Sequence, residues 1–366
     1  MRLLQTCAAM EEAMKGVVFT GNRQLELQDF DDPTPGAGEV VIEIKASGMC
    51  GSDLHIYRSP GGGPGVAAAL GLGGDGKPKI GGHEPCGVVV ARGEGVPKHL
   101  ADDKARVMVH HYSGCETCVD CKSGWPQMCT TDKKKVYGVT GHGAHTKYMS
   151  IPYYTLVPLP EELSFQTGAA ISCGTGTAYG ALRRMNMNGG KTLAVFGQGP
   201  VGISGTMLGK AMGMDVIGID VSDERLALAK DCGADHTINV GKQDAIEELK
   251  KLTGGKGVHY ALETSANPQA RTDAVRSTRT WGTVCYVGEG GNLTLEVSPD
   301  MIRRQVTLMG SWTFSTHIQD ECTKFIANNG VDIDKQITQS FKLSEAAAAY
   351  EKFDQQNMGK GMIIPD

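Results

Sequence analysis

The chain has 366 residues, 40% of them hydrophobic, with 50 glycines, 11 cysteines and only 6% aromatic side chains. That length suggests two or three domains, and a glycine-rich, aromatic-poor composition points to a turn-rich α/β protein over an aromatic-packed sandwich. A formal charge of -5 and a pI near 6.1 offer no basic stripe, so no nucleic acid and no anionic membrane is expected as a partner. No apolar run reaches the roughly 20 residues of a membrane span.

Residues 1–14 hold Arg2 and a brief apolar patch too short for a signal-peptide core, and read as a loose tail. An odd number of cysteines without a secretion signal argues against a disulfide framework. It favours reduced, metal-binding thiols and a cytoplasmic location.

Strand-like sequence begins at Lys15-Gly16-Val17-Val18-Phe19 and returns at Val40-Val41-Ile42-Glu43-Ile44-Lys45-Ala46. Directly after it, Gly48-Met49-Cys50-Gly51-Ser52-Asp53-Leu54-His55 places a thiol, a hydroxyl and an imidazole within six residues. Residues 59–82 form an unusual glycine-rich stretch that reads as a functional or mobile loop. It ends in Gly81-Gly82-His83-Glu84, a second soft ligand beside an acid. Short β-like runs follow at Gly87-Val88-Val89-Val90, Arg106-Val107-Met108-Val109 and Tyr154-Thr155-Leu156-Val157, so this half reads as an antiparallel, barrel-like β domain. Within it, His110, His111 and Tyr112 could line a pocket but read more simply as exposed strand-end residues, and His142 and His145 as turn residues.

The first good helical pattern covers 164–187, with a break expected near Cys173-Gly174, and bridges to a second region. From Lys191 the rhythm becomes strand, helix, strand, helix. Thr192-Leu193-Ala194-Val195-Phe196 precedes a helix over 200–212. Asp215-Val216-Ile217-Gly218-Ile219 precedes a helix opened by Ser222, whose first turn carries Asp223 and Glu224 toward the positive end of the helix dipole. His236-Thr237-Ile238-Asn239, Val258-His259-Tyr260-Ala261-Leu262 and Thr283-Val284-Cys285-Tyr286-Val287 continue the series, which implies a parallel, doubly wound sheet. After Gly310 the chain is expected to return to the first domain through helices near 318–328 and 344–355 and a last strand at Met362-Ile363-Ile364.

Three constellations carry chemistry. Cys115, Cys118, Cys121 and Cys129 lie within fifteen residues; four thiolates at this spacing can close a tetrahedral zinc site with no open position, and iron–sulfur is the alternative. Gly197-Gln198-Gly199-Pro200-Val201-Gly202 matches a dinucleotide fingerprint, follows an apolar strand and opens a helix. Gly197 allows the tight turn, Gly199 a close approach of the pyrophosphate and Gly202 close helix packing, while Asp220 ends the next strand and can accept from the adenosine ribose of NAD. Cys50, His83 and Cys173 form a Cys2His set of the kind that leaves a catalytic zinc one open position. Ser52 and His55 suit a proton relay, and Asp53 and Glu84 can orient the ligands, with Glu84 able to bind metal itself. The remaining cysteines, Cys7, Cys86, Cys232, Cys285 and Cys322, read as ordinary thiols.

Taken together, Gly82-His83-Glu84, the four-cysteine lobe and the Gly197 fingerprint, in that order, resemble the medium-chain zinc-dependent alcohol dehydrogenases from about Lys15 to the C-terminus. The resemblance implies a Rossmann-type doubly wound domain over 175–313 and a discontinuous β-rich catalytic domain over 1–174 and 314–366, with the zinc lobe at 113–130. It implies one catalytic zinc on Cys50, His83 and Cys173, one structural zinc, and hydride transfer between NAD and a small-molecule alcohol or carbonyl substrate. By the same resemblance Ser52 and His55 fall on the relay, Thr177 and Val201 beside the nicotinamide, and Arg225 near the adenosine ribose. Homodimers or homotetramers formed through the coenzyme domains are implied too. Two positions depart from the pattern. Gly51 stands where some members carry a basic residue near the pyrophosphate, and Cys173 matches the alcohol branch where polyol and threonine relatives have an acid. The alternatives are a polyol, sugar or amino-alcohol dehydrogenase of the same family, a zinc-free quinone or enone reductase, and an inactive nucleotide-binding protein.

Overall fold

Six strands pair only in parallel, in the spatial order His236–Asn239, Asp215–Asp220, Thr192–Phe196, Val258–Glu263, Thr278–Tyr286, Thr307–Gly310. In chain order this is 3-2-1-4-5-6, the doubly wound arrangement whose order reverses between Thr192–Phe196 and Val258–Glu263. The inner strands are buried throughout Leu193–Phe196 and Val216–Asp220, as parallel strands covered by helices on both faces must be. The computed structural model describes residues 13–69, 76–100, 102, 104–357 and 359–366. Most of the expected N-terminal tail and the centre of the glycine-rich stretch lie outside them.

The second large sheet has seven strands. Glu39–Gly48 lies against Glu84–Arg92 on one side. On its other side Tyr148–Pro152 pairs with its first half and Lys360–Ile364 with its end. Two different strands in line along one edge give the sheet the curl expected of a barrel-like domain. All of its pairs are antiparallel except Ile337–Lys342 with Lys360–Ile364. That last strand returns the chain to the first half: Met362 and Ile363 pair with Gly48 and Ser47, immediately before Cys50.

Several local expectations need correction. Gly62–Ala69 is a helix inside the expected loop, because its three alanines favour helix and Val66 and Ala67 pack inward. Tyr153–Thr155 is a 3-10 turn, and only Leu156–Pro158 is strand. Met14 opens the first strand, Met14–Gly21, and does not close the tail. The connecting helix is not broken at Cys173. Phe165–Ala170 and Gly176–Arg184 are joined by a π-wound turn over Ile171–Thr175, a local widening that often accompanies a functional side chain.

That connector unites the molecule. A continuous apolar cluster runs from Ala46, Cys86 and Met108 through Ala169, Tyr179 and Leu182 to Leu193 and Val195. The short helix Gly51–Arg58 depends on tertiary burial in the same way, since an isolated eight-residue helix is marginal. Leu54 and Ile56, 2% and 3% exposed, anchor it under Phe19, Tyr350 and Phe353. Burial of each such side chain stabilises by about 1.5–3 kcal/mol.

Candidate active site

Cys50 lies just past the strand Glu39–Gly48 and occupies the N-cap position of Gly51–Arg58. Asp53, one turn in, accepts the Cys50 backbone N–H on Oδ2 at 2.9 Å. Its other oxygen lies 2.9 Å from Nδ1 of His83, which comes from the irregular segment directly before Glu84–Arg92. One buried carboxylate therefore positions two prospective ligands and leaves Nε2 of His83 as the free donor atom. Cys173 comes from the π-wound turn. Ligand atoms of Cys50, His83, Glu84 and Cys173 all lie within 4.8 Å of one another, and all four residues are buried. Both thiols are free.

The electrostatics are those of a cation site. The hydrogen bond between the two thiols lowers the pKa of Cys50 and raises that of Cys173. Burial works against a charged His83, but Asp53 and Cys50 outweigh it and hold the pKa well above the imidazole norm. Burial lifts Glu84 to about 8 although Lys360 pulls the other way. Lys360, 1% exposed, is in ion-pair contact with Glu84 Oε2. Lys360 Nζ takes Oε2, which leaves Glu84 Oε1 buried without a hydrogen-bond partner among the described residues. Two soft thiols, one imidazole and an under-satisfied buried carboxylate suit zinc. Gly48 is needed here, because a Cβ at that position would meet Glu84 Oε2 at 1.8 Å.

Behind His83 runs a buried chain of groups that lie far apart along the chain. Tyr350 donates its hydroxyl to Asp53 Oδ2 at 3.1 Å, and its oxygen lies 2.7 Å from Nε2 of His145. Nδ1 of His145 lies 2.8 Å from the Ser47 hydroxyl. Ser47, Asp53, His145 and Tyr350 are all wholly buried, so His145 is a core residue in a bend and not a surface turn residue. Burial lowers its pKa to about 4, which keeps the ring neutral.

His110, His111 and Tyr112 are also buried, at 0%, 2% and 8% exposure, because the strand end turns under the Cys173 segment. His110 is satisfied by the carbonyl of Phe314, 2.9 Å from Nε2. His111 donates Nδ1–H to the Ser172 carbonyl at 3.0 Å, and its ring centroid is 5.1 Å from that of His83. Burial first, then His83 and His110, keep His111 well below the usual imidazole pKa.

Ser52 and His55 share the exposed face of Gly51–Arg58 at i and i+3. The Ser52 hydroxyl lies 3.9 Å from Cys50 Sγ. No direct Ser52–His55 bond joins them among the described residues.

The glycine turn sits at the C-terminal end of Thr192–Phe196, where the strand order reverses. Gly197 has φ +86 and a Cβ there would meet Ser265 Cβ at 2.9 Å; one on Gly202 would meet the Gly197 carbonyl at 1.8 Å, whereas one on Gly199 meets nothing within 4 Å. The open side of Gly199 fits a pyrophosphate, facing the helix Pro200–Ala211, whose N-terminus has no side-chain cap. Asp220, 7% exposed, accepts from the backbone of Gln198 at 2.6 Å, Val221 at 2.8 Å and Ser222 at 3.0 Å. It therefore builds the turn at the glycine motif. Arg225 lies 3.9 Å from it, with Nε buried and unpartnered. Thr177 is nearly buried on Gly176–Arg184. A Cβ on Gly174 would lie 3.6 Å from Lys360 Nζ, 3.9 Å from Val201 Cγ2 and 4.0 Å from Glu84 Oε1, so the coenzyme helix abuts the metal-ligand cluster.

The second cluster is local. Sγ atoms of Cys115, Cys118, Cys121 and Cys129 lie within 4.8 Å. Cys118 N–H donates to Cys115 Sγ at 3.3 Å and Cys121 N–H to Cys118 Sγ at 3.4 Å. Hydrogen bonds from Thr117 and Cys118 lower Cys115 to about 5, whereas burial and then the neighbouring thiols raise Cys121 to about 12.

Two family models match this chain: an alcohol dehydrogenase GroES-like domain over residues 36–161 and a zinc-binding dehydrogenase over 200–328. The chain is 36% identical over 362 residues to the uncharacterized zinc-type alcohol dehydrogenase-like protein YphC of Escherichia coli strain K12, covering 97% of this chain and 100% of that one. It belongs to the zinc-type alcohol dehydrogenases. The enzyme is therefore an oxidoreductase acting on CH–OH groups of small molecules, with zinc and a nicotinamide coenzyme. Sorbitol dehydrogenase of Bacillus subtilis strain 168 is 31% identical over 342 residues, 93% of each chain. The crystal structure of an alcohol dehydrogenase from Escherichia coli CFT073 complexed with NADH superposes with a TM-score of 0.82 at 26% identity, covering 96% of this enzyme and 99% of that chain. Among the described residues no helix is long and apolar enough to cross a membrane.

Proposed function

We propose that this enzyme is an NAD-dependent alcohol dehydrogenase with two zinc ions per chain, held on Cys50, His83 and Cys173 and on the four-cysteine lobe. The observation that carries the reading is the buried meeting of two thiols, an imidazole and a carboxylate beside the Gly197 turn. When bound, zinc would polarise the substrate hydroxyl and NAD would accept the hydride. The chain's own groups do the rest. Asp53 holds His83 and Cys50 in place, and Lys360 restrains Glu84 next to the ligands. Ser52 and His55, on the exposed helix face, carry the hydroxyl proton toward solvent. Overall an alcohol and NAD give a carbonyl, NADH and one proton.

Asp220 supports NAD over NADP. Its carboxylate would face the 2′-phosphate, and two unit charges about 4 Å apart repel by about 4 kcal/mol at an effective dielectric of 20. After screening, a preference of roughly a hundredfold or more is expected. Thr177 and Val201 would flank the nicotinamide and Arg225 the adenosine. We assign residues 1–174 and 314–366 to the catalytic unit and 175–313 to the coenzyme unit, a division supported by the pairing of Lys360–Ile364 with Glu39–Gly48. A homodimer or homotetramer in the cytoplasm completes the reading. Metal analysis combined with NADH absorbance over primary, secondary and polyol substrates tests it. Metal-free protein that still reduces quinones would replace it with a zinc-free reductase.

A further inference from the structure

The wall of the site beside the ligand cluster carries polar groups that the reaction itself does not use. His111 is locked in one orientation, since its Nδ1–H can only donate to the Ser172 carbonyl at 3.0 Å. In the neutral ring this makes Nε2 an acceptor. The Tyr112 ring packs on it at 4.3 Å and meets Trp312 edge-on at 5.8 Å. The Tyr112 hydroxyl has no hydrogen bond to a described residue and is not fully enclosed, so it is open to a ligand. An acceptor and a donor thus stand side by side, next to the ligand cluster and under a tryptophan that is 38% exposed. His110, by contrast, already has its carbonyl partner and is structural.

We propose that His111 and Tyr112 determine specificity by gripping a hydroxyl on the carbon next to the one oxidised, which makes the substrate a neutral vicinal diol or sugar alcohol. This rests on the dehydrogenase reading above. A hydroxyl is both donor and acceptor, so one group satisfies both wall residues: it donates to His111 Nε2 and accepts from Tyr112. A simple alcohol leaves both unpaired, and a site built around a substrate hydroxyl rejects analogues that lack it. Glu289, whose charge reaches Tyr112, makes this wall less favourable to a carboxylate than to a neutral hydroxyl. The cation nearest the ligand cluster, Lys360, is already in contact with Glu84. The thiol at position 173 contributes to holding metal and is silent on the number of substrate hydroxyls.

The test compares kcat/KM of the zinc-loaded enzyme for butane-2,3-diol stereoisomers, xylitol and sorbitol with butan-2-ol, 1-aminopropan-2-ol and lactate. The best diol or polyol is expected to exceed butan-2-ol by about 100-fold or more in the unmodified enzyme, a comparison that needs no variant to fold. In Tyr112→Phe and His111→Phe that ratio falls by roughly tenfold or more. Butan-2-ol within about threefold of every diol, or lactate or the amino alcohol ahead of them, overturns the grip and leaves the dehydrogenase standing. An unmoved ratio in both variants overturns the assignment to these two residues. Absence of coenzyme reduction with every substrate overturns the dehydrogenase reading and the grip with it.

Discussion

Both cysteine clusters bring their ligand atoms within 4.8 Å of one another, but they are built in opposite ways. The lobe takes four thiols from fifteen consecutive residues, three of them partly exposed, and its own backbone N–H groups support the sulfurs. The other cluster draws residues from positions 50, 83, 84 and 173, buries all of them and orients them through Asp53, Tyr350 and Lys360. A local, all-sulfur site can close around an ion and contribute folding energy. A mixed site assembled at the junction of two sheets can keep one position open to a substrate.

Removing a ligand from the assembled cluster is the strongest way to break this contrast. Cys50→Ala or His83→Ala is expected to lower kcat/KM by about 1,000-fold or more, because polarisation of the substrate oxygen is worth several kcal/mol. The melting temperature should move far less than in a lobe variant. Turnover like the unmodified enzyme's in zinc-depleted Cys50→Ala protein would sink the assignment.

Tyr350→Phe sharpens the contrast, since it keeps the ring packed edge-on to Phe19 at 4.8 Å and deletes the hydroxyl that joins Asp53 to His145. Loss of such a supporting group should weaken metal retention by roughly tenfold or more. Zinc release to a chelator, followed with a colorimetric indicator, reads this directly. One of the two ions should leave faster and the other at its usual rate; equal release from both clusters would deny Tyr350 its role.

His55→Ala should slow alcohol oxidation by about tenfold, at the weak end for proton transfer because water can substitute at an exposed position. The loss is expected mainly on the acidic side of the pH–rate profile, with both zinc ions retained. A superimposable profile would make His55 an ordinary surface residue.

Cys118→Ser should have the smallest effect on chemistry, within about threefold per folded molecule, while lowering the melting temperature by about 5 °C or more. An unchanged melting curve with lost activity would reverse the roles given to the two clusters.

Much of this was legible in the amino-acid order. The alternation of strand and helix after Lys191, the Gly197 fingerprint and the cysteine spacing are local patterns, and local patterns record local geometry. The pairing of Cys50 with His83 through Asp53 was partly readable too, since Asp53 follows Cys50 by one helical turn. What stayed hidden was anything that needed distant segments to meet. Lys360 follows a glycine in a C-terminal strand and becomes a partner of Glu84 only because that strand pairs with the end of Glu39–Gly48. Tyr350 sits after four alanines in a plain helix, and His145 between Ala144 and Thr146 in a bend, yet they meet at 2.7 Å behind His83. His111 and Tyr112 looked like exposed strand-end residues until the Cys173 segment covered them. The sequence by itself determined which chemistries were available and the secondary structure that carries them. The tertiary structure alone decided which polar groups are buried together, because burial is a property of several segments at once and leaves no period or spacing in any one of them.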